Sequence, residues 1–551
     1  MTALSPARTP SGPPGAARPS TRPPLTARRA VAWLFPLAFC GLGLAAVGHT
    51  RLNLATLADG LGAAAGLLAR SWPPTIGDPA ATAVHVLDSL WMAVAGTALA
   101  AAAAAVLAVG AARNTAPARP VRAVALGIIV ACRAVPDVVF AVFFLAALGI
   151  GPLVGVLALG LHSVGMLGRL FTEAVERCDE GVREAVAGTG AGPAQRLLTG
   201  VLPQAAPSMV AATLFRLDIN FRGSVLLGAV GAGGIGLDLK TAFGFTDYRE
   251  ATGIALVIVA VVLAVEAASM GLRRALLGGG GTARSVPPVR GTRAPWTGGR
   301  RAVHLAGWGG LVIVAVACAR TGLTPGAPAE LVPRLADAAG RFLPPRFEPI
   351  AGSLAPGLVE TCAIAMTATF LGVIAGAPLG LLAARTVVSN PVPRLLSRAV
   401  LVGLRSIPDL LLVLVFVAAL GVALGAVAGS CALAVFTAAL VAKLTADAAE
   451  EMRPGPREAL DSAGASRTAE LAVSVPGQLT PGLVGTVLYA LDHNLRAFFV
   501  LGIVGAGELG FALSQNIRTL NFDVVTAIVL PVFAVVLAVE LVSTAVRDAL
   551  R

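Results

Sequence analysis

The 551-residue chain has little charge and few aromatic rings. Charged residues make up 13% of it and aromatics 5%, against 56% apolar residues and a mean hydropathy of +0.81. A soluble domain carries about 25% charged residues, so a water-soluble globule is excluded and the chain reads as an integral membrane protein. Its apolar segments do not alternate with polar residues as barrel strands do, which leaves helices. Lysine is almost missing: only Lys240 and Lys443 occur. Neither follows a Gly-x-x-x-x-Gly run, so a Walker A loop is excluded, and the chain cannot bind ATP by that route. The cysteines (Cys40, Cys132, Cys178, Cys318, Cys362, Cys431) are scattered without a C-x-x-C, and the five histidines are dispersed. No disulfide framework, metal site or cofactor site of the chain's own is visible. No Ser-His-Asp, His-Glu-x-x-His or Cys-His grouping appears, so an intramembrane enzyme would need unrecognised residues. Acids are absent from residues 1–29 and from 272–302. The net charge of +12 lies in short clusters between apolar spans. That is the positive-inside pattern, not a nucleic-acid-binding face.

What is present is present twice. Arg133-Ala-Val-Pro-Asp137 returns as Arg405-Ser-Ile-Pro-Asp409, and Arg183-Glu-Ala185 as Arg457-Glu-Ala459. Asp218-Ile-Asn-Phe-Arg222 returns as Asp492-His-Asn-Leu-Arg496, and Gly231-Ala-Gly233 as Gly505-Ala-Gly507. The offsets are 272, 274, 274 and 274. A period this long in so apolar a chain means two copies of a membrane domain rather than a solenoid.

The predicted fold is an all-α polytopic membrane protein of about twelve spans, arranged as two parallel six-span repeats. Residues 1–29 form a disordered basic cytoplasmic tail, 30–271 the first transmembrane domain, 272–302 an Arg-rich linker and 303–551 the second transmembrane domain. The linker holds seven arginines and no acid, so it and both termini are placed in the cytoplasm, with the protein in the plasma (inner) membrane. The stretch 123–133 is apolar but ends in a charge, which suggests a segment lying along the interface. Pro136 opens a short helix, and Pro207 precedes a long span.

Residues 171–205 form the longest polar loop of the first half, on the same side as the linker. Each copy reads as a short helix, a glycine stop, a second short helix, and then a proline starting the next span. Two exposed copies at matched positions suggest docking surfaces for two identical partners, although a plain connector capping the bundle would look the same.

Within the fifth span of each half lie Asp218, Asn220 and Arg222, and Asp492, Asn494 and Arg496. Ionisable groups in a span are costly and face a partner or a path. Asp and Arg four apart share a helix face, so an internal ion pair is one reading. Arginines lining a path for an anion is the other, since guanidinium suits phosphorus oxyanions. Arg133 and Arg405 either snorkel to the interface or join that path. Gly231 and Gly233, with Gly505 and Gly507, are either an outer gate or a tight turn. Glu508 stands where the first copy has Gly234, so a gate would be asymmetric.

The pattern Glu-Ala-x-x-x-x-Gly followed by Leu-Pro resembles the ATPase-coupling loop of type I ABC importer permeases. In the first copy it falls on Glu184, Ala185, Gly190, Leu202 and Pro203, with Gly200 where the pattern has Ile. In the second it falls on Glu458, Ala459 and Gly464, with Leu460 for the second Ala and Pro476 one residue early. Leu202-Pro-Gln204, Phe215–Arg222, Val230–Gly236 and Arg133–Asp137 are similar to a phosphonate-type permease, over roughly 85–276 and more weakly 357–550. The resemblance implies two permease subunits fused in one chain, so that one chain serves a complex. It also implies two copies of a cytoplasmic ATP-binding subunit carrying ATP and Mg, an extracytoplasmic substrate-binding protein, and import of phosphonate or a related phosphorus oxyanion by alternating access. A secondary transporter with a 6+6 parallel repeat is the main alternative, with Asp218 and Asp492 as its paired candidates for ion coupling. A membrane scaffold without transport is a third class, disfavoured by the intramembrane charges.

Overall fold

A computed structural model describes residues 27–277, 298–323, 327–421, 424–504 and 506–550. Most of the basic tail, the middle of the Arg-rich linker and Gly505 lie outside these residues. Among the described residues, regular structure is helical throughout. The first half comprises α1 (Ala27–His49), α2 (Leu54–Ser71), α3 (Pro79–Ala111), α4 (Arg119–Ala134) and α5 (Asp137–Leu148). It continues with α6 (Pro152–Glu176), α7 (Glu180–Gly188), α8 (Leu202–Leu227), α9 (Ile235–Gly244) and α10 (Tyr248–Leu277). The second half repeats the order: α11 (Gly298–Arg320), α12 (Ala327–Phe342), α13 (Ala351–Ala383), α14 (Pro391–Ser406), α15 (Asp409–Leu420) and α16 (Gly425–Glu450). It ends with α17 (Gly455–Ser462), α18 (Arg467–Arg496), α19 (Phe498–Val504), α20 (Glu508–Arg518) and α21 (Phe522–Leu550).

Among the described residues, seven helices are long and apolar enough to cross a membrane unaided. The pairs α4–α5 and α14–α15 reach that length only together, bent by 89° and 85° at their junctions. The bends follow from the sequence. Pro136 and Pro408 cannot donate to the preceding helix, and each becomes the extended residue before a new one. The segment 123–133 lies within α4. It packs lengthwise on α3 and α6. A Cβ added at Gly165, half-way along α6, would stand 2.4 Å from the Arg133 nitrogen, and one at Gly168 would stand 2.8 Å from Ile129. Missing side chains on α6 thus let α4 pack closely beside it.

The prolines expected to open the fifth spans are interior instead. Helix α8 contains Pro207, and α18 runs from Arg467 through Pro476. Just before Pro203 the chain forms a π-helical turn, Arg196–Val201. Proline lacks the N–H that would bond the carbonyl four residues back, and the wider turn accommodates the lost bond.

The first helix of each half crosses to the other half. Helix α1 packs against α13 and α21, while α11 packs against α3. The Phe39 ring meets Phe370 at 5.8 Å between centroids, and Thr50 Oγ1 lies 3.5 Å from Thr367 Oγ1. Helix α2 leans on α15. One continuous apolar core runs through both halves as a result, from Met92 and Leu159 to Leu410 and Phe499.

Candidate functional site

Two regions carry the polar chemistry: a seam between the halves, and the loops around α7 and α17.

At the seam, Arg222 stands 20 residues into α8, about 30 Å along the helix from Leu202. Its Nη2 lies 3.2 Å from Asp218 one turn earlier and 3.7 Å from Glu266 on α10. Its Nη1 donates across the seam to the main-chain carbonyl of Arg405 at 2.9 Å. The second half returns the contact. Arg496 Nη1 donates to the carbonyl of Arg133 at 2.9 Å, and Nη2 lies 3.1 Å from Asp492 and 3.7 Å from Glu540 on α21. The acceptor carbonyls are free because α4 and α14 end there and the bends withdraw the usual i+4 donors. Residue i meets j and j meets i, the hallmark of an isologous two-fold interface. Arg133 itself pairs with Glu540 of the other half. Arg405 enters this contact through its backbone.

The intrahelical pairs form, and the guanidinium groups hold the halves together. Glu266 and Glu540 went unnoticed in the sequence, although Val262-Leu-Ala-Val-Glu266 returns unchanged as Val536-Leu-Ala-Val-Glu540.

Asn220 and Asn494 face away from this seam. Asn220 is fully buried. Its Nδ2 donates to Thr97 on α3 at 2.8 Å, and its Oδ1 accepts from Ser163 on α6 at 3.0 Å. Asn494 ties Thr369 on α13 and Thr437 on α16 in the same way, at 2.9 and 3.0 Å. Each asparagine is a three-helix staple. Arg216, which the sequence reading did not single out, also reaches Ser163, through Nε at 2.7 Å.

The glycine segments turn the chain tightly beyond the fifth spans. Gly231 has φ +134° and Gly233 φ +83°, with Gly507 at +81° in the second half. A Cβ at Gly236 would lie 1.8 Å from the Val225 carbonyl oxygen, so α9 folds back directly onto α8. The two ends are secured differently. In the first half Asp238 pairs with His85 at 2.7 Å, and the Ile235 N–H donates to Ser89 at 3.1 Å. In the second, the Glu508 N–H donates to the Glu360 carboxylate at 2.7 Å. Lys240 on α9 donates to the Ala229 carbonyl at 2.7 Å. Burial, with Arg518 of the other half nearby, pushes its ammonium down to about 8.

The loops lie at the opposite end of the fifth spans. Helix α7 stops at Gly190 with φ +81°, and α17 at Gly464 with φ +78°, the left-handed conformation that favours glycine. Gln204 accepts from the Asp179 N–H and Gln478 from the Arg453 N–H, each at 3.0 Å. Arg183 donates to the Asn114 carbonyl at 3.2 Å and Arg457 to that of Thr386 at 2.8 Å. These matched ties hold both loops against the bundle. They leave Glu184, Ala185, Glu458 and Ala459 exposed, along with Leu202, Pro203 and Pro476. A shallow hollow over the first loop is lined by Val182, Ala185, Val186, Thr189, Gln195 and Thr199.

Residues 103–277 and 376–551 each match the family described as binding-protein-dependent transport system inner membrane component. The chain belongs to this family. It carries the family's domain twice, with the seam between the copies. Among characterised proteins it is 44% identical to the phosphate-import permease protein PhnE of Mycolicibacterium smegmatis over 497 residues, 90% of each chain. It is 44% identical to the phosphite transport system permease protein PtxC of Stutzerimonas stutzeri over 223 residues, 40% of this chain and 81% of that one. A chain of the MetNI methionine ABC transporter in inward facing conformations aligns with 37% of this chain and 99% of its own length. Identity there is 23% and the TM-score 0.33, and no argument rests on that likeness. This is a fused two-copy, all-helical permease of an ABC import system.

Proposed function

We propose that the chain moves phosphate or a related phosphorus oxyanion, phosphite and phosphonate included, into the cytoplasm. Two copies of a separate ATP-binding subunit, holding ATP and Mg, dock beneath Glu184–Gly190 and Glu458–Gly464. A substrate-binding protein delivers cargo on the opposite, outer side. In this reading both termini are cytoplasmic. ATP-driven closure of the two partners draws the loops together, and the halves rock about the seam so that the central path alternates its access.

The observation that carries this reading is the pair of exposed loops, matched in position and anchored by matched ties. A secondary transporter has no use for two such surfaces. The cargo class is supported by the phosphate- and phosphite-transport relatives. The test is reconstitution of the chain with its ATPase and binding protein in proteoliposomes. ATP-dependent accumulation of labelled phosphate, raised by the binding protein, is expected. Accumulation driven by an ion gradient without ATP would refute the reading.

A further inference from the structure

Three arginines at the seam are paired with carboxylates, but one neighbour is not. Arg222 and Arg496 each have an aspartate, a glutamate and a carbonyl of the opposite half, and Arg133 has Glu540. Arg216 is 5% exposed, and among the described residues no carboxylate lies within 4.0 Å of it. Its Nε bonds the Ser163 hydroxyl, and its Nη1 meets the Met166 sulfur at 3.2 Å. Neither contact carries charge, and its Nη2 has no hydrogen bond. Asp137 is within electrostatic reach and tempers the charge, although its Oδ1 is engaged by the Val138 N–H at 2.9 Å. From the other half, Tyr489 also comes within that reach, with 51% of its surface exposed. The place 274 residues on from Arg216 is Ala490, fully buried, so the second half supplies no counterpart. A buried guanidinium with no carboxylate in contact is costly and points to function. Arg133, Arg222 and Arg496 each have a carboxylate within 4.0 Å.

We propose that Arg216 is the cargo subsite of the transport path, a single guanidinium from the first half alone that binds the oxygens of one phosphorus oxyanion as it passes between the halves. The inference rests on the transport reading above. A charge-assisted fork suits such an anion, and the missing carboxylate contact is the place the anion takes.

The test uses the full chain assembled with its ATPase and binding protein in proteoliposomes, with radiolabelled inorganic phosphate as probe. Arg216→Gln keeps a donor for Ser163 but removes the charge. Arg216→Lys keeps the charge. For R216Q the expected result is phosphate uptake reduced about 10- to 100-fold, the scale of one or two lost charge-assisted bonds, with the complex still assembled. R216K should recover part of the uptake. R216Q uptake within about twofold of the unmodified chain would overturn the assignment while leaving the transport reading intact. Failure of both variants to assemble would make Arg216 a structural cation and also overturn it. Vesicles of the unmodified chain that hydrolyse ATP but accumulate no phosphate, phosphite or methylphosphonate would overturn the transport reading and this assignment with it.

Discussion

Removing Arg222 should weaken the protein far more than removing Arg222 together with the acid it serves. In Arg222→Met the side chain keeps its apolar bulk but loses three contacts: Asp218 at 3.2 Å, Glu266 at 3.7 Å and the Arg405 carbonyl at 2.9 Å. The side chains of Arg222 and Asp218 are only 20% and 13% exposed, so water replaces little of what is lost. Breaking a buried pair by deleting one partner costs about 3–5 kcal/mol, because the other charge is left uncompensated. Here two carboxylates remain, so the upper part of that range is expected. Asp218→Asn/Arg222→Met removes one of those carboxylates and should regain about 1–3 kcal/mol. Equilibrium unfolding in mixed micelles, run on all four corners of the cycle, measures the coupling. R222M as stable as the unmodified chain, or a double variant no better than R222M, would refute the view that the guanidinium neutralises this cluster.

Four further outcomes are expected. Glu184→Arg and Glu458→Arg together should abolish stimulated ATP hydrolysis in the reconstituted complex without unfolding the chain; retained stimulation would remove the loops from the docking surface. Asn220→Ala should cost about 0.6–1.7 kcal/mol, the range measured for hydrogen bonds within membranes. The larger soluble-protein figures apply less here, because Thr97 and Ser163 keep other partners, the Ala93 carbonyl and Arg216; an unfolding assay reporting no change would dismiss the staple. Gly236→Ala should prevent folding, since its new Cβ would collide with the Val225 carbonyl, and a folded, transport-competent G236A would contradict the tight turn. Lys240 gives a pH signature. Its ammonium is held down to about 8 in the folded chain, from an ordinary 10.5, so between these values the unfolded chain binds more protons. Stability should therefore rise with pH across that window, and Lys240→Met should flatten the rise.

The duplication was legible because motif and spacing recur together, and the loop glycines Gly190 and Gly464 stand where a helix needs a left-handed stop. The bends at Pro136 and Pro408 were also readable. The seam was not, for specific reasons. Its acceptors are main-chain carbonyls at Arg133 and Arg405, and a carbonyl leaves no trace in residue type. The place of Arg133 depends on Gly165 and Gly168 letting α4 pack closely on α6, a contact between segments that periodicity does not reveal. Asn220 and Asn494 stood out because a buried amide is costly in a span; that Thr97, Ser163, Thr369 and Thr437 would bond them could not be read from the sequence. Pro203, Pro207 and Pro476 read as helix starts, yet the chain continues through them, since a π turn or neighbouring packing can replace a lost bond in a membrane helix. Glu266 and Glu540 were within reach of the same self-comparison, in the repeated Val-Leu-Ala-Val-Glu.

The claim at the centre of this account is that one chain supplies both halves of the transport path and both docking surfaces. The mass of the assembled complex, measured after gentle release from lipid, tests it most directly. One copy of the chain with two ATP-binding subunits is the expected composition, since the seam is already closed within the chain by Arg222 on Arg405 and Arg496 on Arg133. Two copies of the chain sharing two ATP-binding subunits would contradict it.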